Sequence, residues 1–255
     1  MTHLFIEVNP RTEEKEPLYN LLKSITSFLE TKQKLIEDVY EKRIRQLGNV
    51  DPKQPLKNVA SAVLIPLVLD KNNELKVLLT LRTNRVSIFK NEVSFPGGKW
   101  EKKDQTFKDT ALRESFEEIG LNEQNVDVVS SFLTLTTYRK KKLYKIHSYI
   151  GVVKESFYAK LNRKEVEDIL LVPFTTFMNT FNRISVNGFV RQHHSFKIYG
   201  VTYVYLAIFC VLLFPKRDTL PFLSFLKTQK LYDSGSVLNV LGIVNNGILL
   251  SESKL

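Results

Sequence analysis

The fold is decided by residues 95–121, FPGGKWEKKDQTFKDTALRESFEEIGL. Phe95-Pro-Gly-Gly98 breaks regular structure, and Thr106 to Ile119 then reads as a helix. Phe107, Ala111, Leu112, Ser115 and Ile119 share its inner face. Asp104 is positioned as its N-cap, and Gly120 ends it. On that helix Glu114, Glu117 and Glu118 stand three and four residues apart, so all three carboxylates can converge along one edge. Unpaired they repel, and a set of carboxylate oxygens is what a hard cation such as Mg²⁺ selects. Arg113 can orient a glutamate but cannot neutralise three. A bare Glu-x-x-Glu-Glu is usually just a solvated acidic face. Here Gly97 and Gly98 lie upstream, where backbone can approach phosphate closely, and the helix stop follows, so the stretch reads as a site.

Working outward, Ala60 to Leu69 and Leu75 to Leu81 are β-like runs joined by the turn-rich Asp70-Lys-Asn-Asn-Glu74, which predicts a hairpin. Beyond the helix, Val126 to Leu135 and Ile146 to Val153 read as strands. The loop Asn162 to Asp168 leads to Ile169-Leu-Leu-Val-Pro173 and a short helix; further strands follow in Arg183 to Tyr199, then an apolar helix from Val201 to Phe214. Before the hairpin, Glu16 to Leu47 has the apolar spacing of one or two amphipathic helices, and Gly48 to Lys57 carries the prolines and glycine of a linker. Strands and helices in mixed order predict an α/β/α sandwich around a mixed sheet, preceded by an N-terminal helical arm. The expected organisation is arm and linker at 1–57, main domain at 58–250 and a tail at 251–255.

A chain of 255 residues with 43% apolar content is one large domain, or a domain with an appendage. Its net charge of +10 favours an anionic partner: nucleic acid, a membrane surface or a small phosphorylated molecule. Basicity of a soluble protein without such a partner is the plainer alternative. The single cysteine, Cys210, lies in the apolar helix and reads as core; one thiol excludes an internal disulfide and favours a reducing compartment. The apolar helix is shorter than the roughly 20 residues that cross a bilayer, and the first residues lack the pattern of a signal peptide. His3, His147, His193 and His194 show no zinc spacing with cysteine. No RNP-like aromatic pair or glycine-arginine tract supports nucleic-acid binding.

Residues 97–121 resemble the Nudix box, G-x5-E-x7-R-E-U-x-E-E-x-G-U with U bulky and apolar. Asp104 stands at the first glutamate of the box, eight residues rather than seven separate it from Arg113, and Ser115 takes an apolar position. The aspartate and the lengthened loop resemble the coenzyme A diphosphatase branch. Upstream, residues 78–98, LLTLRTNRVSIFKNEVSFPGG, are similar to the signature of that branch, L-L-T-x-x-S-x-x-x-R-x-x-x-G-x-x-x-F-P-G-G. Thr83 stands for its serine, Ser87 for its arginine and Asn91 for its glycine. With Asn162-Arg-Lys-Glu165-Val and Tyr199-Gly-Val-Thr202, the resemblance extends over roughly residues 58–215.

The resemblance implies hydrolysis of coenzyme A or an acyl-CoA to 3',5'-ADP and 4'-phosphopantetheine or its acyl derivative. It implies Mg²⁺ or Mn²⁺ on Glu114, Glu117 and Glu118. Arg113 orients; Glu117 and Glu165 are both candidates for general base. Arg82, Glu92, Gly97, Gly98 and Lys99 are the expected substrate-binding residues. Another nucleoside diphosphate derivative (an ADP-sugar, a dinucleotide or capped RNA) would use the same box, as would a non-catalytic nucleotide-binding relative. Ser253-Lys254-Leu255, at a free C-terminus, is the tripeptide bound by the peroxisomal import receptor, which implies a location in the peroxisomal matrix.

Overall fold

The computed structural model describes residues 4–11, 13–31, 33–47, 57–86, 89–139, 141–179, 183–186, 194–198 and 200–213. Residues 48–56 of the expected linker Gly48 to Lys57 lie outside them, as do Ser87, His3, His193 and the tail; Lys57 itself begins a strand. In chain order the elements are β1 (Leu4–Ile6), α1 (Glu16–Glu30), α2 (Gln33–Leu47), β2 (Lys57–Leu69), β3 (Leu75–Arg82), β4 (Val93–Ser94) and β5 (Gly97–Lys99). There follow α3 (Phe107–Ile119), β6 (Val126–Arg139), β7 (Lys142–Val153), β8 (Phe157–Ala159), β9 (Val166–Pro173), α4 (Phe174–Asn179), β10 (Arg183–Val186), β11 (His194–Lys197) and α5 (Gly200–Leu213).

The hairpin of β2 and β3 forms where its turn chemistry predicts. The Asp70 Oδ1 accepts the backbone N–H of Asn72 at 2.8 Å and of Glu74 at 2.9 Å, and Asn73 takes a φ of 61°, a left-handed conformation asparagine tolerates well. Lys76 clamps the turn through Asp70 at 2.7 Å. The two strands pair only from Leu67 to Leu69 against Leu75 to Val77 and then splay. Into the gap run β5, paired with Ser61–Val63 of β2, and β4, paired with Thr80 and Leu81 of β3. Pro96 joins them; its carbonyl accepts the Leu64 N–H at 3.0 Å, and its own missing N–H leaves no ladder bond unmade. The segment that sequence alone reads as a break is thus a wedge in the sheet.

β2 pairs with β7 in parallel, and β6 with β7, like β9 with β3, antiparallel, which gives one mixed seven-stranded sheet. Side chains alternate across it. Leu64 and Leu78 face a cluster with Ala111, Ile119 and Leu121 of the α3 layer. Ile65, Leu67, Val77 and Leu79 face the other way, toward Leu22, Ile25 and Leu29 of α1, Ile36 of α2 and the apolar α5. The α/β/α sandwich is as expected. The two N-terminal helices also form, but they are integral to the core and do not stand off from it. Strands β1 and β8 make a small separate sheet that adds Leu4 and Ile6 to the α3 cluster. Cys210 is buried in α5, and among the described residues no helix is long and apolar enough to cross a membrane.

Candidate active site

Helix α3 is fixed at both ends by local chemistry. Thr106, not Asp104, is the N-cap: its hydroxyl accepts the Asp109 N–H at 3.2 Å while the Asp109 carboxylate accepts the Thr106 N–H at 2.8 Å, a reciprocal capping box. Asp104, two residues earlier, is free of that duty and serves Arg113. At the other end Gly120 adopts a φ of 73° and returns its N–H to Phe116 at 2.8 Å. The last carbonyls are taken by the loop between β8 and β9, whose Lys160 and Asn162 N–H groups donate to Ile119 and Glu118, each at 2.9 Å. That loop is pinned from the other side by Thr83, which donates its N–H to the Glu165 carbonyl at 2.9 Å and its hydroxyl to Lys164 at 3.0 Å. Thr83 is thereby a positioning residue for Glu165, a role its match to the upstream signature does not reveal.

The two glycines admit the helix for different reasons. A Cβ on Gly97, whose φ is 155°, would overlap the Ala62 carbonyl of β2. On Gly98 it would overlap the Glu114 carboxyl. Backbone and carboxylate are therefore in direct contact. Glu118 lies deeper, 1% exposed, and accepts the Gly97 N–H at 3.2 Å and an Arg82 guanidinium N–H at 3.1 Å. The inner face of α3 thus carries Glu118 along with Ala111, Ser115 and Ile119, whereas Glu117 is exposed. Burial pushes the Glu118 carboxyl up to about 8, with Glu114 and Glu165 adding repulsion against the pull of Arg82 and the Gly97 amide. Glu114 is also raised by burial; Arg113 opposes this, whereas Glu117 and Glu165 reinforce it. Glu165 thus lies within electrostatic reach of both.

Arg113 is the hub of the outer layer. It grips Asp104 through two parallel bonds, Nε at 2.8 Å and a terminal nitrogen at 2.9 Å, and reaches Glu114 at 2.9 Å, Glu117 at 3.0 Å and the Lys99 carbonyl at 3.0 Å. The guanidinium, joined by the Thr110 hydroxyl and the Glu101 amide, holds the buried Asp104 carboxyl well below the usual carboxylate range despite desolvation. Glu117 is half exposed and also meets Lys103 at 3.5 Å.

Of the expected substrate residues, Gly97 and Gly98 adjoin the carboxylates directly, and Lys99 is exposed beside them. Arg82 is not a free cation: it pairs with Glu118, although its buried Nε has no hydrogen-bond partner among the described residues. The Glu92 carbonyl accepts the Arg82 N–H at 3.0 Å, which ties this residue to the site through its backbone. Asn91, in place of the glycine of the signature, has a φ of 55°, so the position keeps the left-handed conformation glycine would supply. His147 stacks on Phe107 at 3.8 Å and bonds Thr134 at 3.0 Å.

The donors fit a hard cation by chemistry, being all oxygen, with Glu114 and Glu118 buried together and mutually repelling. As described, arginines balance them instead. Among the described residues no three acidic, histidine or cysteine side chains are gathered closely enough to hold a metal.

Nudix hydrolase 15, mitochondrial, of Arabidopsis thaliana is 37% identical over 159 residues, 61% of this chain and 54% of its own. The peroxisomal coenzyme A diphosphatase ndx-8 of Caenorhabditis elegans is 31% identical over 174 residues, 67% of this chain and 73% of its own. The chain spans about half the length of the first of these relatives. Among solved structures, the Nudix hydrolase RenU of M. Smegmatis aligns with 63% of this chain and 89% of its own at 13% identity and a TM-score of 0.46. The NUDIX domain family model matches residues 59–190, just over half of the sequence and all of the site, and the chain belongs to that family.

Proposed function

We propose that the protein is a Mg²⁺- or Mn²⁺-dependent diphosphatase acting on coenzyme A or an acyl-CoA, releasing 3',5'-ADP and 4'-phosphopantetheine or its acyl form. The observation that carries the reading is the buried pair Glu114 and Glu118 against Gly98 and Gly97, held by Arg113 and Arg82. Glu114, Glu117 and Glu118 would hold the cation. When bound, it neutralises diphosphate oxygens and lowers the pKa of a coordinated water. Gly97, Gly98 and Lys99 line the approach of the diphosphate, and the unused Nε of Arg82 is a donor for one of its oxygens. Arg113 positions Glu114 and Glu117, with Asp104 fixing its orientation. Glu165, on a loop pinned by Thr83 and α3, or Glu117 takes the proton of the attacking water.

The substrate rests on the Asp104 spacing, on the 78–98 signature and on the relative named as a coenzyme A diphosphatase. A panel of kcat/KM values at equal Mg²⁺ for coenzyme A, acetyl-CoA, ADP-ribose, a dinucleoside polyphosphate and capped RNA tests it. Coenzyme A or its thioester leads the panel on this reading, and a clear preference for ADP-ribose overturns it. We propose a peroxisomal address on Ser253-Lys254-Leu255, recognised by the import receptor; removing the three residues disperses a tagged protein into the cytosol, and unchanged location refutes it.

A further inference from the structure

Large apolar side chains seldom remain exposed beside a site without a use, and Trp100 is 41% exposed immediately after the Gly97–Lys99 strand. Its N–H donates to the Ala60 carbonyl at 3.1 Å, which carries the β5 register one residue further. Trp100 therefore follows Gly98 by two residues on the same strand face, about 7 Å along it. Phe116, also exposed, lies two residues past Glu114 and so on nearly the opposite side of α3. The indole is not loose: its Nε1 donates to the Asp104 carbonyl at 3.2 Å, and Asp104 grips Arg113. The ring is anchored at its edge to the element that orients the carboxylates. Lys99, between Gly98 and Trp100 on the strand, points to the opposite face, and Lys102 is exposed in the turn that follows.

We infer that Trp100 is the stacking platform for the adenine of the substrate, the diphosphate lying toward Gly98 on the same strand face. A flat, accessible π-face suits a nucleotide base, and a ring held before binding loses little freedom on stacking. This rests on the proposed function, naming which part of the substrate meets which residue, and is tested apart from turnover. Trp100 is the sole tryptophan of the chain, so indole emission reports this ring alone. The full-length protein is titrated with 3',5'-ADP, AMP and 4'-phosphopantetheine. Saturable quenching by both nucleotides and none by 4'-phosphopantetheine is expected. Trp100→Ala raises the KM for coenzyme A about 10-fold, the loss falling on KM more than on kcat, and Trp100→Phe restores most of it. No quenching by either nucleotide, or an unchanged KM in Trp100→Ala, overturns the platform even if coenzyme A is cleaved. Nucleotide quenching without cleavage of coenzyme A leaves the platform standing and removes the substrate reading.

Discussion

On the α5 face of the sheet, Cys210 is 1% exposed in a cluster with Phe209, Leu212 and Tyr205. Burial alone pushes its thiol up. On the α3 face Glu118 is as deeply buried, yet it is bonded to Arg82 and the Gly97 amide and repelled by Glu114 and Glu165. On the α5 face the Tyr205 hydroxyl has a structural use: it accepts the Leu135 N–H at 3.2 Å and donates to the Ile146 carbonyl at 2.6 Å, filling an irregularity in β6. On one face the Tyr205 hydroxyl completes the packing. The other holds carboxylates whose repulsion disfavours the fold, which is the mark of a functional site.

The largest effect expected from breaking that contrast is on the packing face. Phe209, set against Phe132 and Phe174 at 5.4 and 5.5 Å, is a core side chain, and Phe209→Ala lowers stability by about 3–5 kcal/mol in denaturant titration. Turnover per folded molecule stays near that of the wild type. On the site face, Asp104→Asn removes the charged grip on Arg113 and costs about 2 kcal/mol at neutral pH. Because the folded carboxyl titrates below its unfolded value of 3.8, that contribution is present above this pH and is lost as pH falls toward the folded value. The gap between wild type and Asp104→Asn in thermal melts therefore narrows in acid; a gap independent of pH contradicts the pairing.

The smallest stability effect comes with a large functional one. Gly98→Ala meets only the movable end of Glu114, so the melting curve shifts by less than about 1 kcal/mol, but displacing that carboxylate lowers kcat about 100-fold. Gly97→Ala meets the β2 backbone and lowers stability by more than about 2 kcal/mol. Equal behaviour of the two variants would show that neither glycine serves the carboxylate.

What was legible in the sequence follows the same division. α3, the hairpin at Asp70 and the apolar α5 carry long periodic or strongly punctuated patterns, and each forms within a few residues of its expected bounds. β6 and β7 run further than read, to Arg139 and from Lys142, because ladder bonds hold the basic residues that hydropathy assigns to a loop. β1, β4 and β8 are too short to show a period, and only their partners define them. At the site the residue types were legible, and their depth only from the helical period. That period does separate Glu118, seven residues from Ala111 and three from Ser115 and so turned inward onto Gly97 and Arg82, from Glu117, which faces solvent; reading the carboxylates only by their mutual spacing misses it. Asp104 and Thr106 both suit an N-cap, and only the distance to Arg113 separates their roles.

The most direct test of the central claim is hydrolysis of coenzyme A by wild type and Glu118→Gln in saturating Mg²⁺, with products separated and identified. The wild type yields 3',5'-ADP and 4'-phosphopantetheine only when the cation is supplied, and Glu118→Gln, folded by circular dichroism, loses roughly 100-fold or more of kcat. Turnover by Glu118→Gln equal to the wild type, or cleavage that persists in excess chelator, would contradict the account.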